Sequence, residues 1–126
     1  VELPVRLPHE NNVYHLFPIL VKDGKRDALQ AYLAENGVGT VIHYPIAPHK
    51  QECYANEAWN TPQLSLPITE QIADEELSLP ISPTMTIEEA AEVVRLVNAF
   101  KEWTIERINE WRSEGVNELG SERINE

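Results

Sequence analysis

A single cysteine, Cys53, stands among the 126 residues. No internal disulfide can staple this fold, and a reducing compartment is the expected setting. The longest uninterrupted apolar runs are a few residues, far short of the roughly 20 that a transmembrane helix needs. No basic start followed by an apolar stretch, the mark of a secretory signal, opens the chain. These absences predict a soluble cytoplasmic domain. Basic charge is scarce too: 10 Lys and Arg face 21 Asp and Glu, a formal net charge of −11. Between Lys50 and Arg95 there is no base at all, while nine acids fall there. Binding to nucleic acid relies on clustered Lys and Arg, so neither nucleic acid nor an anionic membrane is expected as a partner. A small anionic ligand stays open wherever a local site supplies the donors.

What is present suffices for a folded domain. Hydrophobic residues make up 42% and charged residues 25%, ordinary values for a globular chain. One domain is the prior at this length, and such a chain buries roughly two-thirds of its unfolded surface. Residues 1–12, with Pro4 and Pro8, read as an extended lead-in. Residues 13–22 are rich in strand formers and apolar on both faces, and Pro18 argues for an edge or a bulge. Arg26 to Glu35 reads as a helix with Ala28, Leu29, Tyr32 and Leu33 inward, stopped by Asn36-Gly37. Val38 to Tyr44 is a second expected strand.

Residues 45–83 hold six Pro and no Gly, so they form a structured excursion rather than a flexible linker. Within them Leu64-Ser65-Leu66-Pro67-Ile68-Thr69 is echoed by Leu77-Ser78-Leu79-Pro80-Ile81-Ser82. Each is a short extended run that leads toward a helix, and a short strand is expected near 77–80. Thr69 is the expected cap of a helix through Glu76. Thr86-Ile87-Glu88-Glu89 is a capping box, and the helix after it carries Ala90, Val93, Val94, Leu96, Val97 and Phe100 at helical spacing. A helical extension is expected past Trp103 and Trp111. From Glu102 a Glu recurs every fourth residue to Glu126, and the tail beyond Gly115 is expected to fray.

The chemistry-bearing stretch is Ile42-His43-Tyr44-Pro45-Ile46-Ala47-Pro48-His49-Lys50-Gln51-Glu52-Cys53-Tyr54. It leaves a strand end, a favoured place for ligand-binding groups, and runs through two Pro into a short helix. In a regular strand His43 and Tyr44 face opposite ways, so both address one ligand only if the backbone bends at Pro45. His43 is either a ligand group or a packed structural histidine. The spacing of His43, His49 and Cys53 lacks the paired ligands of structural zinc sites. A Cys53–His nucleophile pair lacks an identifiable orienting group, so neither a metal site nor a catalytic residue is assigned.

The order of motifs resembles the C-terminal small domain of the DegT/DnrJ/StrS family of sugar aminotransferases. The motifs are Val13-Tyr14-His15-Leu16-Phe17-Pro18-Ile19, Arg26-Asp27-Ala28-Leu29, Gly39-Thr40-Val41-Ile42-His43-Tyr44-Pro45 and His49-Lys50-Gln51-Glu52-Cys53-Tyr54. Leu66-Pro67-Ile68-Thr69-Glu70 and Leu77-Ser78-Leu79-Pro80-Ile81-Ser82-Pro83-Thr84-Met85-Thr86 complete the series. The form is most similar to members that aminate a dTDP-linked 3-keto-6-deoxyhexose, and it covers roughly residues 9–101.

The resemblance implies an α/β (α+β) small domain over 13–101, a small mixed or antiparallel sheet with helices mainly on one face. It implies a pyridoxal-phosphate aminotransferase, usually a homodimer, that moves an amino group from a donor such as glutamate to a keto sugar nucleotide. Deoxysugar or cell-surface polysaccharide biosynthesis is the expected setting. His43, Tyr44, His49 and Gln51 take substrate-binding roles by the same resemblance. No cofactor-binding residue is assigned, because Lys22, Lys25, Lys50 and Lys101 lie outside the family's Schiff-base context. The expectation is therefore a fragment that is inactive alone, without cofactor of its own. A non-catalytic binding or interaction module with the same fold is the alternative.

Overall fold

The computed structural model describes residues 1–5, 13–59, 61 and 64–101. In chain order they form β1 (Phe17–Leu20), α1 (Arg26–Glu35), 3-10 turns at Pro48–Lys50 and Glu52–Tyr54, α2 (Pro67–Glu75) and β2 (Glu76–Leu79). A third helix, α3, follows over residues 87–101. The sheet is antiparallel, with Phe17 opposite Leu79 and Leu20 opposite Glu76. Glu2 bridges the outer side of β1 at Leu20, and Val41 bridges the far side of β2 at Ser78. The fold is thus the expected mixed α/β arrangement, with an antiparallel sheet. The tail from 102 onward, with its expected helical extension and frayed end, lies outside the described residues, as does lead-in segment 6–12.

Strand alternation assigns the two faces. Phe17, Ile19, Val21, Leu77 and Leu79 share one face, and this is where the core sits. Ile19 and Leu77 pack with Leu29, Tyr32 and Leu33 of α1 and with Leu96 and Phe100 of α3. Burying each such aliphatic side chain contributes about 1.5–3 kcal/mol. The opposite face presents Pro18, Leu20, Glu76 and Ser78, and Glu76 and Ser78 are buried there although polar.

The helix ends follow local rules. Asn36 caps α1, Gly37 sits at φ +79°, and the Gly37 and Val38 amides donate to Ala34 O (3.0 Å) and Leu33 O (2.8 Å). This satisfies two carbonyls of the last turn through a conformation that favours glycine. At α3 the Thr86 amide donates to Glu89 Oε2 (2.8 Å) and the Glu89 amide to Thr86 Oγ1 (3.1 Å), the reciprocal pair expected of a capping box, worth about 1 kcal/mol.

Several expectations need correction. Regular pairing of the first strand is confined to Phe17–Leu20, not 13–22. Segment 38–44 makes one bridge, at Val41, instead of a strand. The next pair on one side would join Gly39 to Pro80, which has no amide hydrogen. On the other side the His43 amide donates to the Glu76 side chain, at Oε2, rather than to its backbone. Helix α2 begins at Pro67, so Thr69 lies inside it and does not cap it. The Leu66 amide donates instead to Glu70 Oε1 (2.9 Å). Ala28 and Val94 are exposed, at the margins of their helices' apolar faces. Pro18 does sit where a missing donor is harmless. Ser78 spends its backbone bonds on Val41, so Pro18 and Ser78 form a non-hydrogen-bonded pair and the Pro18 nitrogen faces the outer side.

Candidate functional site

Val41 pairs with Ser78, which puts His43 opposite Glu76 on the polar face of the sheet. There the three side chains form a chain of hydrogen bonds. Ser78 Oγ donates to Glu76 Oε1 at 2.6 Å, and the His43 Nδ1 nitrogen lies 3.0 Å from Ser78 Oγ. The Ser78 hydroxyl has one hydrogen, and the carboxylate takes it. The contact to His43 is therefore Nδ1–H donating to Ser78 Oγ. That places a hydrogen on Nδ1 and leaves Nε2 as the ring nitrogen that makes no hydrogen bond among the described residues.

Tyr44 is 72% exposed and stands edge-on to His43, with ring centroids 5.7 Å apart and planes at 86°. The peptide bond between the two residues is cis. The structure therefore brings His43 and Tyr44 together at the end of the bridged segment. A phenol and an imidazole nitrogen are thus offered beside one another.

His49 and Gln51 are bonded within the protein instead. His49 is buried, and its Nε2 lies 3.0 Å from Glu70 Oε1. Lys50 Nζ donates to Glu70 Oε2 at 2.8 Å, and Gln51 Nε2 donates to Ile46 O at 3.1 Å. These contacts fasten the proline-rich excursion to the first turn of α2. His49 Nδ1 is buried without a partner among the described residues.

Glu70 was missed by the sequence reading, though it sits in a quoted motif. The Lys50 ammonium foremost, then the Leu66 amide and His49, lower its carboxyl to about 2. A folded value below the ordinary one means that the stabilisation is complete above about pH 4.5 and drains away toward pH 2. Thermal melts should accordingly fall across that window. Lys50→Met should flatten this acid limb, and an unchanged limb would remove Lys50 as its cause.

A groove of about 740 Å³ lies elsewhere, between Gly37–Gly39, Pro80–Met85 and the start of α3. Two of its three acids are committed: Glu89 closes the capping box and Glu92 pairs with Arg95 at 2.6 Å. The His43–Tyr44 corner, with directed polar groups, is the better candidate. Among the described residues no cluster of His, Cys, Asp or Glu could hold a metal ion. No described helix is long and apolar enough to cross a membrane.

Comparison with known proteins bears on this corner. Residues 1–98 match the DegT/DnrJ/EryC1/StrS aminotransferase family. The chain is 48% identical over 100 residues to dTDP-3-amino-3,6-dideoxy-alpha-D-galactopyranose transaminase of Aneurinibacillus thermoaerophilus, covering 79% of this chain and 26% of that one. Among solved structures, it is similar to DesV of S. venezuelae in complex with a ketimine intermediate, with a TM-score of 0.68 and 38% identity. That match covers 81% of this chain and 26% of DesV. It is also similar to NtdA of Bacillus subtilis with bound cofactor PMP, with a TM-score of 0.67 and 35% identity, over 79% of this chain and 23% of NtdA. The chain thus spans about a quarter of the length of the proteins it matches.

Proposed function

Because this chain belongs to the DegT/DnrJ/EryC1/StrS aminotransferase family, we propose that it is the substrate-side, C-terminal part of an aminotransferase acting on a dTDP-linked 3-keto-6-deoxyhexose. The observation that carries this reading is the 48% identity to a dTDP-sugar transaminase over most of this chain. His43 and Tyr44 hydrogen-bond the nucleotide sugar, while His49 and Gln51 hold the segment that follows them through Glu70 and the Ile46 carbonyl. The complete enzyme is a cytoplasmic homodimer of deoxysugar or cell-surface polysaccharide biosynthesis, with glutamate as the expected donor.

Pyridoxal phosphate is the cofactor of the complete enzyme, where it supplies the electron sink for amino transfer. The described residues of this chain do not fit it. Lys22 Nζ is held 2.6 Å from Glu75 and 3.1 Å from Glu2, and Lys50 is held by Glu70. The Glu75 and Glu2 contacts raise the Lys22 pKa, the wrong direction for an amine that must be a nucleophile. Lys25 and Lys101 are exposed. Within the enzyme this chain binds and orients substrate, and the rest of the polypeptide carries the cofactor.

Incubation of the chain with one equivalent of pyridoxal phosphate and borohydride should give no stoichiometric label at any single lysine, only scattered low labelling of exposed amines. The complete polypeptide should form the amino sugar from keto sugar and glutamate. A stoichiometric, saturable pyridoxyl group on one of Lys22, Lys25, Lys50 or Lys101 would overturn the division of labour. Failure of the complete polypeptide to form amino sugar would favour the non-catalytic module.

A further inference from the structure

We propose that Glu76 and Ser78 are positioning residues that hold His43 in its Nδ1–H tautomer and so present Nε2 to the nucleotide sugar. This rests on the reading of His43 as a substrate group. A half-buried histidine needs no buried polar partners, yet here the two side chains bonded to its amide and its ring, Glu76 and Ser78, are 4% and 5% exposed. Burying a carboxylate is costly unless its lone pairs are used. Glu76 uses both oxygens on this one corner: Oε1 accepts from the Ser78 hydroxyl, and Oε2 from the His43 amide. The carboxylate grips His43 at its backbone and, through Ser78, at its ring. The first contact fixes where the residue sits, and the second fixes which ring nitrogen carries hydrogen.

The arrangement repeats the logic of ligand-bearing histidines elsewhere, where the hydrogen bond at one nitrogen sets the chemistry of the other. His49 offers an internal contrast. Its bond to the Glu70 carboxylate is made through Nε2, with Nδ1 left buried. These two histidines, six residues apart, are thus bonded through opposite ring nitrogens, and of the two only His49 has its other nitrogen buried.

Long-range proton–nitrogen NMR of the labelled chain reads the tautomer directly. His43 should show hydrogen on Nδ1, and Ser78→Ala should shift it toward Nε2–H, the form free imidazole side chains favour in water. Ser78→Thr, which keeps the hydroxyl, should restore the wild-type pattern. In the complete enzyme Ser78→Ala should raise KM for the nucleotide sugar about tenfold with kcat nearly unchanged, and Ser78→Thr should recover it. A wild-type ring with hydrogen on Nε2, or a folded Ser78→Ala variant with unchanged tautomer and KM, overturns the proposal. If the tautomer responds but neither Ser78→Ala nor His43→Ala moves KM, the substrate reading of His43 has failed and the positioning role falls with it. If His43→Ala raises KM while Ser78→Ala does not, the substrate reading stands and only the positioning role is lost.

Discussion

Leu77→Ala should abolish, or nearly abolish, the cooperative unfolding transition of the chain. Leu77 is fully buried and lies opposite Ile19 at the centre of the two-stranded ladder, inside the cluster that joins both strands to α1 and α3. Truncating such a leucine removes its transfer free energy and leaves a cavity that neighbours fill only in part, at about 2–5 kcal/mol. A domain has only about 5–15 kcal/mol in total, and one of this size belongs at the low end. For a domain of about 100 residues, each kcal/mol moves the melting temperature by roughly 4–8 °C. The drop should therefore exceed about 8 °C. Ile68→Ala is the control, because Ile68 is 73% exposed on α2 and should move stability by less than about 0.5 kcal/mol. Melts followed by circular dichroism decide it. Equal midpoints for Leu77→Ala and wild type would mean that the sheet is not the centre of the core.

The same ladder separates what the sequence made legible from what it hid. Helix α1 was readable to the residue because its apolar spacing and its Asn36-Gly37 stop agree. The capping box at Thr86 was readable because both partners lie within one turn. The segment 38–44 misled because its composition favours a strand, while its pairing is limited by residues nearly forty positions away. Pro80 withholds a donor on one side, and the Glu76 carboxylate takes the His43 amide on the other. Periodicity within a segment cannot carry that information.

The site divides likewise. His43 and Tyr44 stood out as polar groups at a strand end, whereas Glu76 was read as the end of a helix and Ser78 was passed over in a short apolar run ending in Pro80. Glu76 instead opens β2 and is buried. One signal could have found them. Had the strand expected near 77–80 been begun at Glu76, residues 76 and 78 would have shared a face, and a polar pair on the same face as Leu20 of the next strand implies a polar partner above it. Only the register of Val41 against Ser78 shows that this partner is His43.

In the complete enzyme, Tyr44→Phe should raise KM for the nucleotide sugar roughly tenfold with little change in melting temperature. The substitution removes one hydroxyl from a ring that is 72% exposed and leaves its edge-on packing with His43 in place. A hydrogen bond to a charged group is worth about 1.5–3 kcal/mol, which corresponds to roughly tenfold to a hundredfold in affinity. His43→Ala should weaken binding as strongly but is a less clean variant. It strips Ser78 of the group that donates to it, inside a buried network. Losing that one hydrogen bond, worth about 0.5–1.5 kcal/mol, together with the packing of the half-buried ring, should make this variant melt several degrees lower as well. His43→Asn keeps a side-chain N–H that can donate to Ser78 and loses the outer ring nitrogen. It should recover most of the stability without recovering KM. That pattern separates a binding loss from a folding loss. Unchanged KM in well-folded Tyr44→Phe and His43→Asn would remove both side chains from the substrate site.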